Sequence, residues 1–129
     1  MNAYYENWMA YRKGIRLANR IFTLSANFPK EERYSLTDQM RRSSRSVCAN
    51  LAEGYAKRRY PRHFIAKLTD SLGEAAETKV WLQFAVECNY LPEDEYHRLR
   101  NLTDEVIRLL HYMIKTPERF GSFRHTLKF

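Results

Sequence analysis

Four prolines, Pro29, Pro61, Pro92 and Pro117, divide this chain of 129 residues into four long stretches and a short tail, and only four glycines lie among them. Proline has no amide donor and clashes with a preceding helical turn, so a helix stops short of it or starts at it. Within each long stretch the apolar residues recur at steps of three and four. That spacing follows the 3.6-residue period of a helix rather than the two-residue period of a strand. The pattern predicts four helices and no sheet.

The first helix is expected from Tyr5 to Ala26. Trp8, Tyr11, Ile15, Ala18 and Phe22 form one stripe on it, and Leu17, Ile21, Leu24 and Phe28 form a second. Two adjacent stripes make a face too wide for one neighbour, which points to two contacts within a bundle or to another subunit. In the second stretch Ser35 and Asp38 have capping-box spacing, Leu36, Met40, Val47 and Leu51 point inward, and Ser43, Ser44, Ala49 and Ala52 are small enough for close helix approach. Pro61 opens the third helix, with Ile65, Leu68, Leu72, Ala75, Leu82 and Val86 inward and Gly73 and Ala76 spaced for tight contact. Lys79 interrupts that stripe and calls for an acid, with Glu53, Glu74 and Glu77 as partners to consider. Glu93, Asp94 and Glu95 suit the positive end of a fourth helix, whose inward residues are Leu99, Leu102, Val106, Leu109 and Met113. A length of 129 residues fits one domain, 1–129, with residues 117–129 as a C-terminal tail outside the bundle.

No apolar run approaches the roughly 20 residues needed to span a bilayer. The start, MNAYYENW, lacks the cationic-then-apolar pattern of a secretory signal, so a cytoplasmic protein is expected. Cys48 and Cys88 stand alone in apolar helical stretches and read as buried free thiols. His63, His97, His111 and His125 are scattered, with no pair on one helix face. No metal site and no cofactor are expected.

The positive charge is concentrated. Arg41, Arg42, Arg45, Lys57, Arg58, Arg59 and Arg62 fall in a segment with one acid, Glu53, a net of +6 out of the chain's +7. Arg41 and Arg45 lie one turn apart and repel unless bridged. Such density attracts a polyanion through summed potential and counterion release. Lys57, Arg58, Arg59 and Arg62 flank the Tyr55–Tyr60 connection and are the expected phosphate contacts, joined by Arg45, while Tyr55 and Tyr60 are expected to stack on unpaired bases. Arg41 and Arg42 read as structural. No zinc-finger, RNA-recognition or helix-turn-helix pattern is present, so backbone and shape recognition is expected rather than base readout.

The segment FPKEERYSLTDQMRRSSRSVCANLAEGY, Phe28 to Tyr55, resembles the central motif of the four-helix-bundle family named for 23S rRNA intervening-sequence proteins. The family pattern is met by Phe28, Pro29, Glu32, Leu36, Gln39, Arg41, Arg42, Ser46, Val47, Asn50, Leu51, Ala52, Glu53 and Gly54. Asp70, Ser71, Leu72, Glu74 and Leu82 are similar to its G-S-L-x-E segment, and the likeness covers about Trp8 to Met113. Cys48 stands where many relatives have proline, and Asp70 where glycine is usual. The resemblance implies an antiparallel up-down-up-down four-helix bundle, a homopentamer, a presumed nucleic-acid role and no established enzymatic activity. A more remote likeness, to the accessory variability proteins of diversity-generating retroelements, implies a protein partner such as a reverse transcriptase. The reading is therefore a non-enzymatic oligomer that binds RNA or DNA, with a homo-oligomeric interaction scaffold as the alternative. An enzyme built on Glu53, Asp70, Glu74 and Glu77 lacks the Glu-x-x-His pairs of bundle di-metal sites.

Overall fold

The structure is a computed structural model and describes residues 4–122. Tyr5–Asn7 forms a 3-10 turn, after which Trp8 is extended (φ −69°, ψ 135°) and nearly fully buried. Its carbonyl accepts the Arg12 amide at 3.0 Å, so α1 spans Met9–Ser25, starting later than the sequence suggests. A second 3-10 turn, Lys30–Glu32, leads into α2, Leu36–Ala56. α3 covers Pro61–Glu87 with proline in its first turn, and α4 covers Glu93–Lys115 behind three acids. Between them Asn89 takes a left-handed φ of 62°, which asparagine tolerates, and the Tyr90 amide reaches back to the Ala85 carbonyl at 2.8 Å.

Four helices and no strand make up the described residues. Side-chain contacts show how they run. Cys48 meets the Tyr11 carbonyl and Arg41 meets Ser25; Ser71 bonds the Val47 carbonyl and Thr78 bonds Ser43; Lys13 meets Glu105 and Arg20 meets Glu95. In each pair numbers rise on one helix as they fall on the other, so α1/α2, α2/α3 and α1/α4 are antiparallel. Helices adjacent in the chain pack together and α4 closes on α1, which leaves α1 and α3 across the diagonal of a four-helix bundle.

Two apolar clusters fill the interior. Trp8, Val47, Leu51, Phe64, Leu68 and Met113 belong to one; Leu17, Ile21, Met40, Leu82, Leu91 and Leu99 belong to the other. Small hydroxyl residues bring α2 and α3 together. Ser43 and Thr78 share a buried hydrogen bond of 2.8 Å, and Ser71 donates to the Val47 carbonyl at 2.8 Å. Ser43 thus serves as expected, while Ser44 is buried with its hydroxyl on the Met40 carbonyl of its own helix at 2.8 Å, Ala49 is exposed and Ala52 half-buried.

Several expectations are corrected. The N-terminus of α2 is capped from outside it: Glu32 Oε1 accepts the Ser35 hydroxyl at 2.7 Å and the Leu36 amide at 3.2 Å, and Ser35 makes no side-chain cap. Glu32 Oε2 also accepts the Tyr90 hydroxyl at 2.9 Å. Lys79 pairs with none of the three acids proposed for it but with Asp104 of α4, at 2.8 Å. Gly73 has nothing within 4 Å of a would-be Cβ, and Ala76 is exposed, so neither makes the tight contact their spacing suggested. Cys48 is buried, but Cys88 is exposed at the end of α3 because the helix stops there and its side chain clears the core. Of the first α1 stripe, Ile15 and Phe22 are exposed, while Leu17, Ile21 and Phe28 of the second are buried.

The start of the C-terminal tail packs on the bundle. Pro117–Phe120 forms a 3-10 turn, Phe120 sets its ring edge-on to Trp8 at 6.0 Å, and Ser122 donates to the Arg58 carbonyl at 3.2 Å. Phe123, Arg124, His125, Lys128 and Phe129 lie outside the described residues. No helix among the described residues is long and apolar enough to cross a membrane.

Candidate nucleic-acid interface

The connection between α2 and α3 is tight because the amides that end α2 are all used. Lys57 donates to the Gly54 carbonyl at 2.9 Å, Arg58 to the Tyr55 carbonyl at 3.2 Å, and Tyr60 to the Lys57 carbonyl at 2.9 Å. Pro61 then starts α3 without needing an amide partner. This short corner leaves the side chains of Lys57, Arg59, Tyr60, Arg62 and His63 exposed. The Tyr60 and His63 rings sit 5.8 Å apart, tilted by 43°, as two neighbouring flat surfaces at one end of the bundle.

Two residues expected in this site do other work. Arg58 turns back onto its own helix: Nη1 donates to the Tyr55 carbonyl at 3.0 Å and the guanidinium lies 4.0 Å from the centre of the Tyr55 ring. Tyr55 is half-buried, edge-on to Tyr4 at 5.3 Å and to Trp8 at 5.9 Å. Its ring face is covered by Arg58, so it is not open for a base to stack on. Arg58 and Tyr55 instead close the aromatic end of the core, and the Arg58 carbonyl anchors Ser122. Helical periodicity could not show this, because the aromatic partners come from residues 4–8.

The upper half of the basic segment lies apart from the corner. Arg45 precedes Lys57 by twelve helical positions, about 18 Å at 1.5 Å per residue. Its guanidinium sits 5.2 Å from the centre of the Phe22 ring. Arg41 is closer to that ring, at 4.3 Å, and donates to the Ser25 hydroxyl at 2.9 Å and the Phe22 carbonyl at 3.2 Å. Arg41 therefore closes the C-terminal end of α1, a structural use consistent with its reading from sequence. Phe22, not an anion, lies beneath Arg41 and Arg45.

Little of this charge is neutralised inside the chain. Among the described residues, Arg41, Arg42, Arg45, Lys57, Arg58 and Arg62 make no salt bridge to an acid; the bridges belong to Lys13, Arg20, Lys67, Lys79, His97 and Arg98. Glu53, the acid within the basic segment, is held by Lys67 at 2.6 Å, which lowers its pKa, and Lys57 adds a weaker effect in the same direction. Lys67 also reaches Asp70 at 3.6 Å. Beside them Glu74 has its pKa raised, first by burial and then by Glu77, with Arg42 opposing. No group of three His, Cys, Asp or Glu residues placed to hold a metal ion occurs among the described residues.

A basic four-helix bundle with Lys57, Arg59 and Arg62 exposed at one inter-helix corner is the class that fold and site define. The chain belongs to the 23S rRNA-intervening sequence protein family, whose profile matches residues 6–112. It is also similar to a crystal structure, at 1.70 Å resolution, of a protein of unknown function from the S23 ribosomal protein family of Bacteroides thetaiotaomicron VPI-5482. The two are 30% identical, with a TM-score of 0.74, over 83% of this chain and 96% of that one. No curated protein matches the chain.

Proposed function

We propose that this protein is a non-enzymatic, homo-oligomeric nucleic-acid-binding protein of the cytoplasm that contacts the phosphate backbone through the α2–α3 corner. The observation that carries the reading is the exposure of Lys57, Arg59 and Arg62 around one tight turn, beside the exposed Tyr60 ring. Guanidinium groups offer forked donors suited to phosphate oxygens, and an exposed tyrosine offers a stacking face to an unpaired base. Neither feature reads sequence, so recognition is of backbone and shape. Repetition around an oligomer, five copies as the resemblance implies, multiplies a weak contact into useful avidity for a long strand.

The test is binding of single-stranded RNA across a salt series, with wild-type chain and the triple variant Lys57→Glu/Arg59→Glu/Arg62→Glu. Affinity should fall steeply with salt, and loss of three phosphate contacts should flatten the log–log slope by about 2. Salt-insensitive binding, or binding indifferent to the triple variant, would leave the interaction scaffold as the function.

A further inference from the structure

A groove of about 600 Å³ lies between the start of α1, the end of α4 and the Pro117–Phe120 turn. Small-molecule sites enclose roughly 300–1,000 Å³. Its walls are apolar: Met9, Ala10, Leu109, Met113 and Phe120, with Tyr112 beside them. Ala10 and Met113 are 2% and 1% exposed, so the groove cuts down to the core. Two methionines in its wall let it fit occupants of more than one outline.

Trp8 also lines the groove, although it is only 4% exposed. It packs edge-on against the rings of Tyr55, Phe64 and Phe120. Those contacts bury the indole without pairing it, and its Nε1 has no hydrogen-bond partner among the described residues. Buried donors are nearly always paired, so an orphan on the wall of a cavity marks a place for an acceptor from outside the chain. Tyr55 and Phe64 are held in long helices, whereas Phe120 is half-buried on a four-residue turn. Phe120 is therefore the neighbour that yields when an acceptor approaches Nε1. Charge narrows the choice of occupant. Glu118 and Arg119 line the groove as exposed neighbours of opposite sign, so it favours neither an anion nor a cation.

We propose that this groove binds an uncharged, largely apolar small molecule whose carbonyl oxygen accepts the Trp8 indole N–H. Apolar walls supply the affinity and the one buried donor fixes the orientation. Lys57, Arg59, Tyr60 and Arg62 are not among the residues that line it, so the site stands whether or not the α2–α3 corner holds a polyanion.

The experiment follows the two indole N–H signals of the full chain in proton–nitrogen correlation spectra, told apart with Trp81→Phe, as 2-acetylnaphthalene is added. The Trp8 signal should move downfield and saturate. The Trp81 signal, from an indole nitrogen that is also buried and unpartnered, should stay where it is. 2-Ethylnaphthalene has the same outline without the oxygen and should bind about tenfold more weakly, the usual worth of one hydrogen bond to an otherwise unpaired group. 2-Naphthoate, which brings a charge, should also bind more weakly than the ketone. Trp8→Phe keeps a ring but loses the donor, and should hold the ketone and the ethyl compound equally, read from the Met9 methyl signal. Met9→Asp places a charge on the wall at the first position of α1, where an acid suits the helix, and should abolish saturable binding with an unchanged circular-dichroism spectrum. If Trp8→Phe does not fold, Met9→Asp and the ethyl comparison decide. A Trp8 signal that does not saturate, equal affinity for the ketone and the ethyl compound, both indole signals moving together, or binding that survives Met9→Asp would each overturn the site.

Discussion

Gly14 shows what one missing side chain does for this core. A Cβ there would stand 2.9 Å from Cys48 Sγ and 3.5 Å from Val47 Cγ1, so α1 and α2 approach across a position that only glycine fits without displacement. The thiol is buried, and burial pushes its pKa up to about 12, which keeps it protonated and inert as a packing group. Gly14→Ala gains about 1 kcal/mol of helix propensity but incurs overpacking of about 1–3 kcal/mol. A net loss of about 1 kcal/mol is expected in urea unfolding. Adding Cys48→Ala removes the clashing sulfur and should make the alanine at position 14 neutral or stabilising. If both backgrounds respond alike, the sulfur is not the constraint. Sequence alone marked Cys48 as buried but offered no sign of its partner, because the pair is thirty-four positions apart.

At the scale of elements, Glu32 ties three of them together. The Ser35 hydroxyl, then the Tyr90 hydroxyl, then the Leu36 amide hold its carboxylate below the ordinary glutamate value, and the same bond pushes the Tyr90 pKa up to about 12. Because the folded chain binds the ionised form, this stabilisation is present above the unfolded pKa of 4.5 and is lost as pH falls through the lower folded value. Glu32→Gln should cost about 1 kcal/mol near neutral pH, the usual value of a helix cap. The gap in unfolding midpoint between wild type and variant should narrow as pH falls below the unfolded value of 4.5. A gap independent of pH would mean the carboxylate charge is not what joins the start of α2 to the α3–α4 connection. The Ser35–Asp38 spacing located this helix start correctly and named the wrong cap, since the acid that serves precedes the helix and is recruited by its turn.

For the whole molecule, assembly and binding are coupled through avidity. An oligonucleotide short enough to meet one corner should bind at least tenfold more weakly than a long RNA, since linking several sites raises avidity by about two to four orders of magnitude. The triple corner variant should weaken both while leaving solution mass intact. Equal affinity for short and long RNA would separate oligomerisation from binding altogether.

Four helices, their approximate limits and most of the inward stripes were legible in the sequence, because apolar period and proline placement act locally and each helix reports its own buried side. Leu36, Met40, Val47, Leu51, Leu68, Leu82, Leu99 and Val106 needed no tertiary information to be assigned to the core. The basic segment was equally visible, since charge is additive along a chain. What only the folded structure decided was how that charge is shared out: Arg41 spent on the end of α1, Arg45 over Phe22, Arg58 over Tyr55, and Lys57, Arg59 and Arg62 exposed at the corner. It also decided which apolar stripe of α1 is left outside, since two adjacent stripes were legible there and only the fold exposes Ile15 and Phe22 while burying Leu17 and Ile21. Both outcomes depend on residues brought together from distant parts of the chain, and neighbours in space leave no periodic trace in the order of the residues.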